Sequence, residues 1–152
     1  METTAEIAAR LLRVAEERDY ALWRRAGQAL LGWARARGGD RDGLRLLQQA
    51  VSDIRHVMYG VSTILLRLQI DALISLGRLA PARSVLAQAM ADVARIGNKR
   101  FLPELYRRRG EIDYLMQRDR EAADADLRHA EALAAEQDAV MELIRIQSVR
   151  SI

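Results

Sequence analysis

The chain has 152 residues, a formal net charge of +3 and no cysteine, so it is about one domain's worth of polypeptide with neither disulfides nor thiolate metal sites. Acids are interspersed with bases throughout, which argues against a concentrated nucleic-acid track, and no apolar run approaches the length of a signal-peptide core or a membrane span. The expected setting is reducing and cytoplasmic, away from the membrane.

Read in chain order, the sequence predicts helices and turns. Alternation of period two is absent, and Pro81 and Pro103 both stand where a helix can begin. Thr3 followed by Glu6 forms a capping box, with Ile7, Leu11 and Val14 as the stripe of a first helix. Asp19 opens a second, which carries Trp23, Leu30 and Ala34 inward and ends at Gly38-Gly39. Asp40 caps a third, with Leu44, Leu47, Val51 and Ile54 on one face. The fourth, residues 62–76, is apolar on two faces, as a helix between two neighbours is: Leu66, Ile70 and Leu73 on one, Leu65, Leu68, Ala72 and Leu76 on the other. Pro81 begins the fifth and Gly97 follows its end; the sixth contains residues 104–112; Asp119 and Asp138 cap the seventh and eighth.

Internal repetition is the strongest signal. GGDRDGLRLLQQAV from Gly38, GRLAPARSVLAQAM from Gly77 and RDREAADADLRHAE from Arg118 align as a turn and the helix after it. Gly43, Ala82 and Ala123 then coincide, as do Ala50, Ala89 and Ala130, at separations of 39 and 41 residues. Small residues seven apart let one helix press closely on another, which is what a stacked helix-hairpin repeat needs. The fold class read from this is all-α, an α-solenoid of about eight antiparallel helices.

The stretches LLGWARA from Leu30, GLRLLQQAV from Gly43 and IGNKRFLPELYRRRGEI from Ile96 resemble the tetratricopeptide-like arrays in the carboxyl-terminal parts of large bacterial regulators, those joining a nucleotide cyclase or a DNA-binding domain to an ATPase module. The third stretch is the most specific: a glycine after the second helix, an aromatic, then a Glu-Leu-aromatic-Arg run ending in Gly-Glu. The resemblance covers essentially the whole chain, with departures at Gln69, where an apolar residue is usual, and Arg118, where a turn glycine is. It implies a right-handed superhelix and one repeat domain over residues 1–152, a fragment or shortened relative of a longer regulator.

No chemistry is expected of the chain itself. His56 and His129 have no second histidine at ligand spacing, the serines lack a G-x-S-x-G context, and no phosphate-binding glycine loop occurs. Catalytic residues, a metal and a cofactor are therefore not expected.

The first helices of the hairpins in such an array line a concave groove. A stripe at helical spacing passes Gln28, Gly32 and Arg35, then Arg67, Asp71 and Ile74, then Arg108, Ile112 and Leu115, giving one arginine per repeat. A competing reading has these arginines laying their methylenes over apolar neighbours with their heads in water. Trp33, off the inward stripe, is the expected aromatic anchor. Gly110 is expected at a close helix approach, Glu111 to pair with Arg107, and Arg109, on another face, to contribute little to ligand binding.

Three functions follow. The leading one is a non-catalytic interaction or effector-sensing module of a bacterial signalling or transcription regulator. Its partner would be a protein or peptide, acidic by preference, or a small anionic effector. The second is a freestanding scaffold that self-associates, as a homodimer or larger homo-oligomer, through Val140, Leu143, Ile144 and Val149. The third, a helical-repeat nucleic-acid binder, is disfavoured because no continuous basic track with stacking aromatics is present.

Overall fold

The computed structural model describes residues 3–55, 59–117 and 119–150. His56 and Arg118 lie outside the described residues, as does the side chain of Tyr59. Among the described residues there are eight α-helices and no strand: α1 Thr4–Glu17, α2 Ala21–Arg37, α3 Arg41–Arg55, α4 Tyr59–Ser75, α5 Leu79–Ile96, α6 Leu102–Leu115, α7 Arg120–Glu136 and α8 Val140–Val149. A 3₁₀ turn, Lys99–Phe101, leads into α6. No helix among them is long and apolar enough to cross a membrane. The chain forms two compact units, Met1–Arg78 and Leu79–Ile152.

In the first unit, α1 begins at the expected capping box, with Thr3 N–H donating to Glu6 Oε2 at 2.6 Å and Glu6 N–H to Thr3 Oγ1 at 3.3 Å. The stripe of α3, Leu44, Leu47, Val51 and Ile54, is buried, as are Leu65, Leu66, Ile70, Ala72 and Leu73 of α4. α2 meets its neighbours backbone to backbone. A Cβ on Gly32 would stand 2.6 Å from Leu47 N and 2.7 Å from Gly43 O, and one on Gly27 would stand 3.2 Å from Leu12 Cα. At Gly32 no Cβ fits unless the backbone shifts, and at Gly27 the fit is tight.

The second unit repeats this contact. A Cβ on Gly110 of α6 would lie 3.0 Å from Ala123 O and 3.0 Å from Leu127 Cγ of α7, the close approach expected of this glycine. Gly32 thus faces a small residue and the leucine four positions on, Gly43 and Leu47, and Gly110 faces Ala123 and Leu127 in the same way. Beyond them, Leu127, Ala130, Ala134, Ile146 and Val149 form a core flanked by Tyr106, Tyr114 and Leu143.

All six repeat residues, Gly43, Ala82, Ala123, Ala50, Ala89 and Ala130, are buried. The structure adds a fourth copy. Ala8 and Ala15 of α1 are buried and flank Leu12, which reproduces small residue, leucine four on and alanine seven on. It lies 35 residues before Gly43, short of the repeat length seen downstream.

Three expectations are corrected. Asp19 and Asp138 do not open helices; with φ of 51° and 53° they end α1 and α7, because aspartate tolerates the left-handed region. Tyr20 N–H then donates to Ala15 O and Ala139 N–H to Ala134 O, both at 2.8 Å, the same closure that follows Gly39 and Gly77. Asp119 and Asp40 are the genuine caps, accepting from Ala122 N–H at 3.0 Å and Asp42 N–H at 2.8 Å. Trp23 points outward, 56% exposed, because α2 buries Gly27, Ala29, Gly32 and Ala36, and so close a backbone contact leaves no room for an indole. Ile7 and Val14 are likewise 46% exposed, since α1 turns Ala8 and Ala15 inward.

Candidate functional site

In the first unit a polar seam joins α2 to α4. Trp33 Nε1 donates to Asp71 Oδ2 at 2.8 Å, and Arg37, one turn further along α2, donates to the same oxygen at 3.3 Å. The Arg37 guanidinium also lies over the indole, 5.5 Å from the ring centroid. Asp71 is thereby neutralised and the half-buried indole N–H satisfied. Arg37 itself remains half open to water.

The second unit has a corresponding seam between α6 and α8. Arg107 is buried, with Nε donating to Glu142 Oε2 at 3.1 Å and Nη1 to Glu111 Oε2 at 3.1 Å. Arg108 Nη1 donates to the same Glu111 oxygen at 2.9 Å, and Arg145 donates to Glu142. A buried guanidinium is tolerable only with such partners, and Arg107 has two. The Arg107–Glu111 pair is the one expected from helical spacing.

The expected binding residues divide. Asp71 and Trp33 meet directly, and Arg67 and Ile74 are half-buried on α4 with Asp71. Gln28 is half-buried and accepts from Arg25 Nη1 at 3.0 Å. Gly32 and Arg35 belong to the face that α2 turns toward α3. Arg35 Cβ would stand 2.6 Å from a Cβ on Gly43, and its guanidinium closes on Asp40 through Nε at 2.8 Å and Nη2 at 2.7 Å. Together with the Asp42 N–H, the larger influence, this arginine holds the Asp40 carboxyl below its usual range. Ile112 is fully buried and offers no groove surface; Arg108 is half-buried and Leu115 is 39% exposed.

Gly32 and Gly110 supply the reason for the split. Matching the two glycines places Arg35 opposite Asp113 in the register and Arg108 opposite Leu30, so the stripe read from the sequence changes face between α2 and α6. The same match could have found Arg37, which the sequence reading missed along with Glu142.

Arg109 is no idle neighbour. Its Nε and Nη2 grip both carboxylate oxygens of the buried Asp126 on α7, and its guanidinium lies 4.9 Å from the Tyr106 ring centroid. It forms a fixed fork between α6 and α7.

At the chain's last helix, Val140 and Ile144 are 63% and 53% exposed, joined by Met141 at 61%, whereas Leu143 and Val149 pack into the core of the second unit. The four residues expected to self-associate thus lie on two faces. Among the described residues no three metal-ligating side chains converge. His129 packs its ring on Tyr106, centroids 4.4 Å apart.

The chain matches no protein-family model, no curated protein and no solved structure.

Proposed function

We propose that the chain is a non-catalytic helical-repeat module of tetratricopeptide-like build, an α-solenoid of antiparallel hairpins like those of bacterial signalling and transcription regulators. It holds a protein or peptide partner, acidic by preference, or a small anionic effector. One observation carries the reading. The pattern of a small residue, leucine and alanine recurs as Ala8–Leu12–Ala15, Gly43–Leu47–Ala50, Ala82–Leu86–Ala89 and Ala123–Leu127–Ala130. Two of these copies meet a glycine of the preceding helix in the same geometry.

The arginine-bearing seams are the proposed contact faces. Carboxylates of an incoming partner would pair with Arg37 beside Asp71 and with Arg108 beside Glu111, adding charged hydrogen bonds while burying apolar surface around Trp33. Selectivity comes from the sign of charge.

Trp33 reports on this directly. In a Trp23→Phe background its emission should shift on titration with an acidic peptide such as poly-glutamate and stay constant with poly-lysine. An equal response to both, or to neither, would overturn the acidic-partner reading.

A freestanding, self-associating scaffold is the second reading, supported by the exposure of Val140 and Ile144. With Leu143 and Val149 turned inward, two of the four residues which that reading names face the core rather than a second copy.

A further inference from the structure

α6 and α8 share a register: Glu104-Leu105-Tyr106-Arg107 corresponds to Glu142-Leu143-Ile144-Arg145. On α6, one face holds α7, and three of its residues have described counterparts on α8. Tyr106 stacks edge-on against His129, Arg109 forks onto Asp126, and Gly110 lies against Ala123 and Leu127. The same three positions on α8 are Ile144, Gln147 and Ser148, and all are exposed. Val140 and Met141 extend that strip, while the opposite face of α8, Leu143, Ile146 and Val149, is the one packed into the core.

Scattered exposed apolar residues need no explanation, but this strip is contiguous and its counterpart on α6 is covered by a helix. Ser148 stands where α6 has Gly110. Its hydroxyl donates to Ile144 O at 3.0 Å, so the position presents a small surface with its donor already satisfied.

We propose that the face of α8 formed by Val140, Met141, Ile144 and Ser148 docks an amphipathic helix of a partner polypeptide built like α7. Such a helix carries a small residue, leucine four positions on and alanine seven on, so that its small residue sits over Ser148 and its leucine beside Ile144. Because Gln147 replaces Arg109, the partner needs no acid at the place of Asp126. The inference stands on the second unit alone and is independent of what the seams bind.

The probe is a fluorescent synthetic peptide copying residues 119–137 with Asp126→Asn, titrated with the full chain and followed by anisotropy. The expected result is saturable binding of one peptide per chain, weakened at least tenfold by Ile144→Glu or Met141→Glu in the chain and by Ala123→Leu in the peptide. Ile64→Glu, at an exposed apolar position of α4, should leave it unchanged. Absence of binding by chain whose circular dichroism is helical would overturn the proposal. So would binding indifferent to Ile144→Glu, because the peptide would then have displaced α7 itself. Sedimentation showing wild-type dimers that Ile144→Glu converts to monomers would equally overturn it, making a second copy the occupant.

Discussion

Gly32 brings α2 so close to α3 that a Cβ added to it would stand 2.7 Å from the carbonyl oxygen of Gly43. Gly32→Ala must therefore push the two helices apart. The gain of about 1 kcal/mol in helix propensity is outweighed by backbone overpacking, and a net loss of roughly 1–3 kcal/mol is expected. Gly110→Ala meets Leu127, a side chain able to rotate, alongside Ala123 O at 3.0 Å, and should cost less. Urea unfolding of the two variants checks the order; a Gly110 variant the less stable of the pair would contradict the packing described.

Arg109→Ala should destabilise the chain more than Arg108→Ala. The first leaves Asp126 buried without its bidentate partner, whereas after the second Glu111 keeps Arg107. Arg109 is partly open to water, so screening keeps the cost to about 1–2 kcal/mol. A double-mutant cycle of Arg109→Ala with Asp126→Asn measures the coupling, and additivity of the two changes would contradict the fork.

Alkaline titration isolates another inter-helix contact. The Tyr114 hydroxyl donates to Asp124, and this hydrogen bond first, burial second, raises the phenol above its ordinary pKa. Since the folded value is raised, the contribution is fully present below about pH 10 and is lost as the pH climbs through the folded pKa. Tyr114→Phe should melt lower than wild type at neutral pH, with the gap closing above pH 10. A gap constant through that range would mean that the phenol contributes by packing alone.

The helices were legible where one local rule decided the outcome. Thr3 with Glu6, Asp40 and Asp119 cap because their side chains reach an orphan N–H, and Gly110 marks a close approach because a helix tolerates glycine poorly without a packing reason. Asp19 and Asp138 were misread because the short polar side chain that favours a cap also tolerates a left-handed helix end. Faces were the harder matter. Trp23 lies outside and Ala8 inside because the α1–α2 contact selects small residues, so hydrophobicity pointed to the wrong side. The seams fared likewise. Trp33 and Asp71 were both singled out, but their hydrogen bond spans 38 residues and helical periodicity says nothing about it.

On the proposed function, the arginine-bearing seams recognise acid. Calorimetric titration of an acidic peptide into wild type, Arg108→Ala and Arg45→Ala tests it most directly. Arg45, highly exposed and paired along α3 with Asp42, is the neutral control that Arg109 cannot be. Arg108→Ala should weaken binding by roughly 1.5–3 kcal/mol, as for a hydrogen bond to a charged group, with helicity unchanged and Arg45→Ala indistinguishable from wild type. Equal effects of the two substitutions, or unfolding of Arg108→Ala, would contradict it.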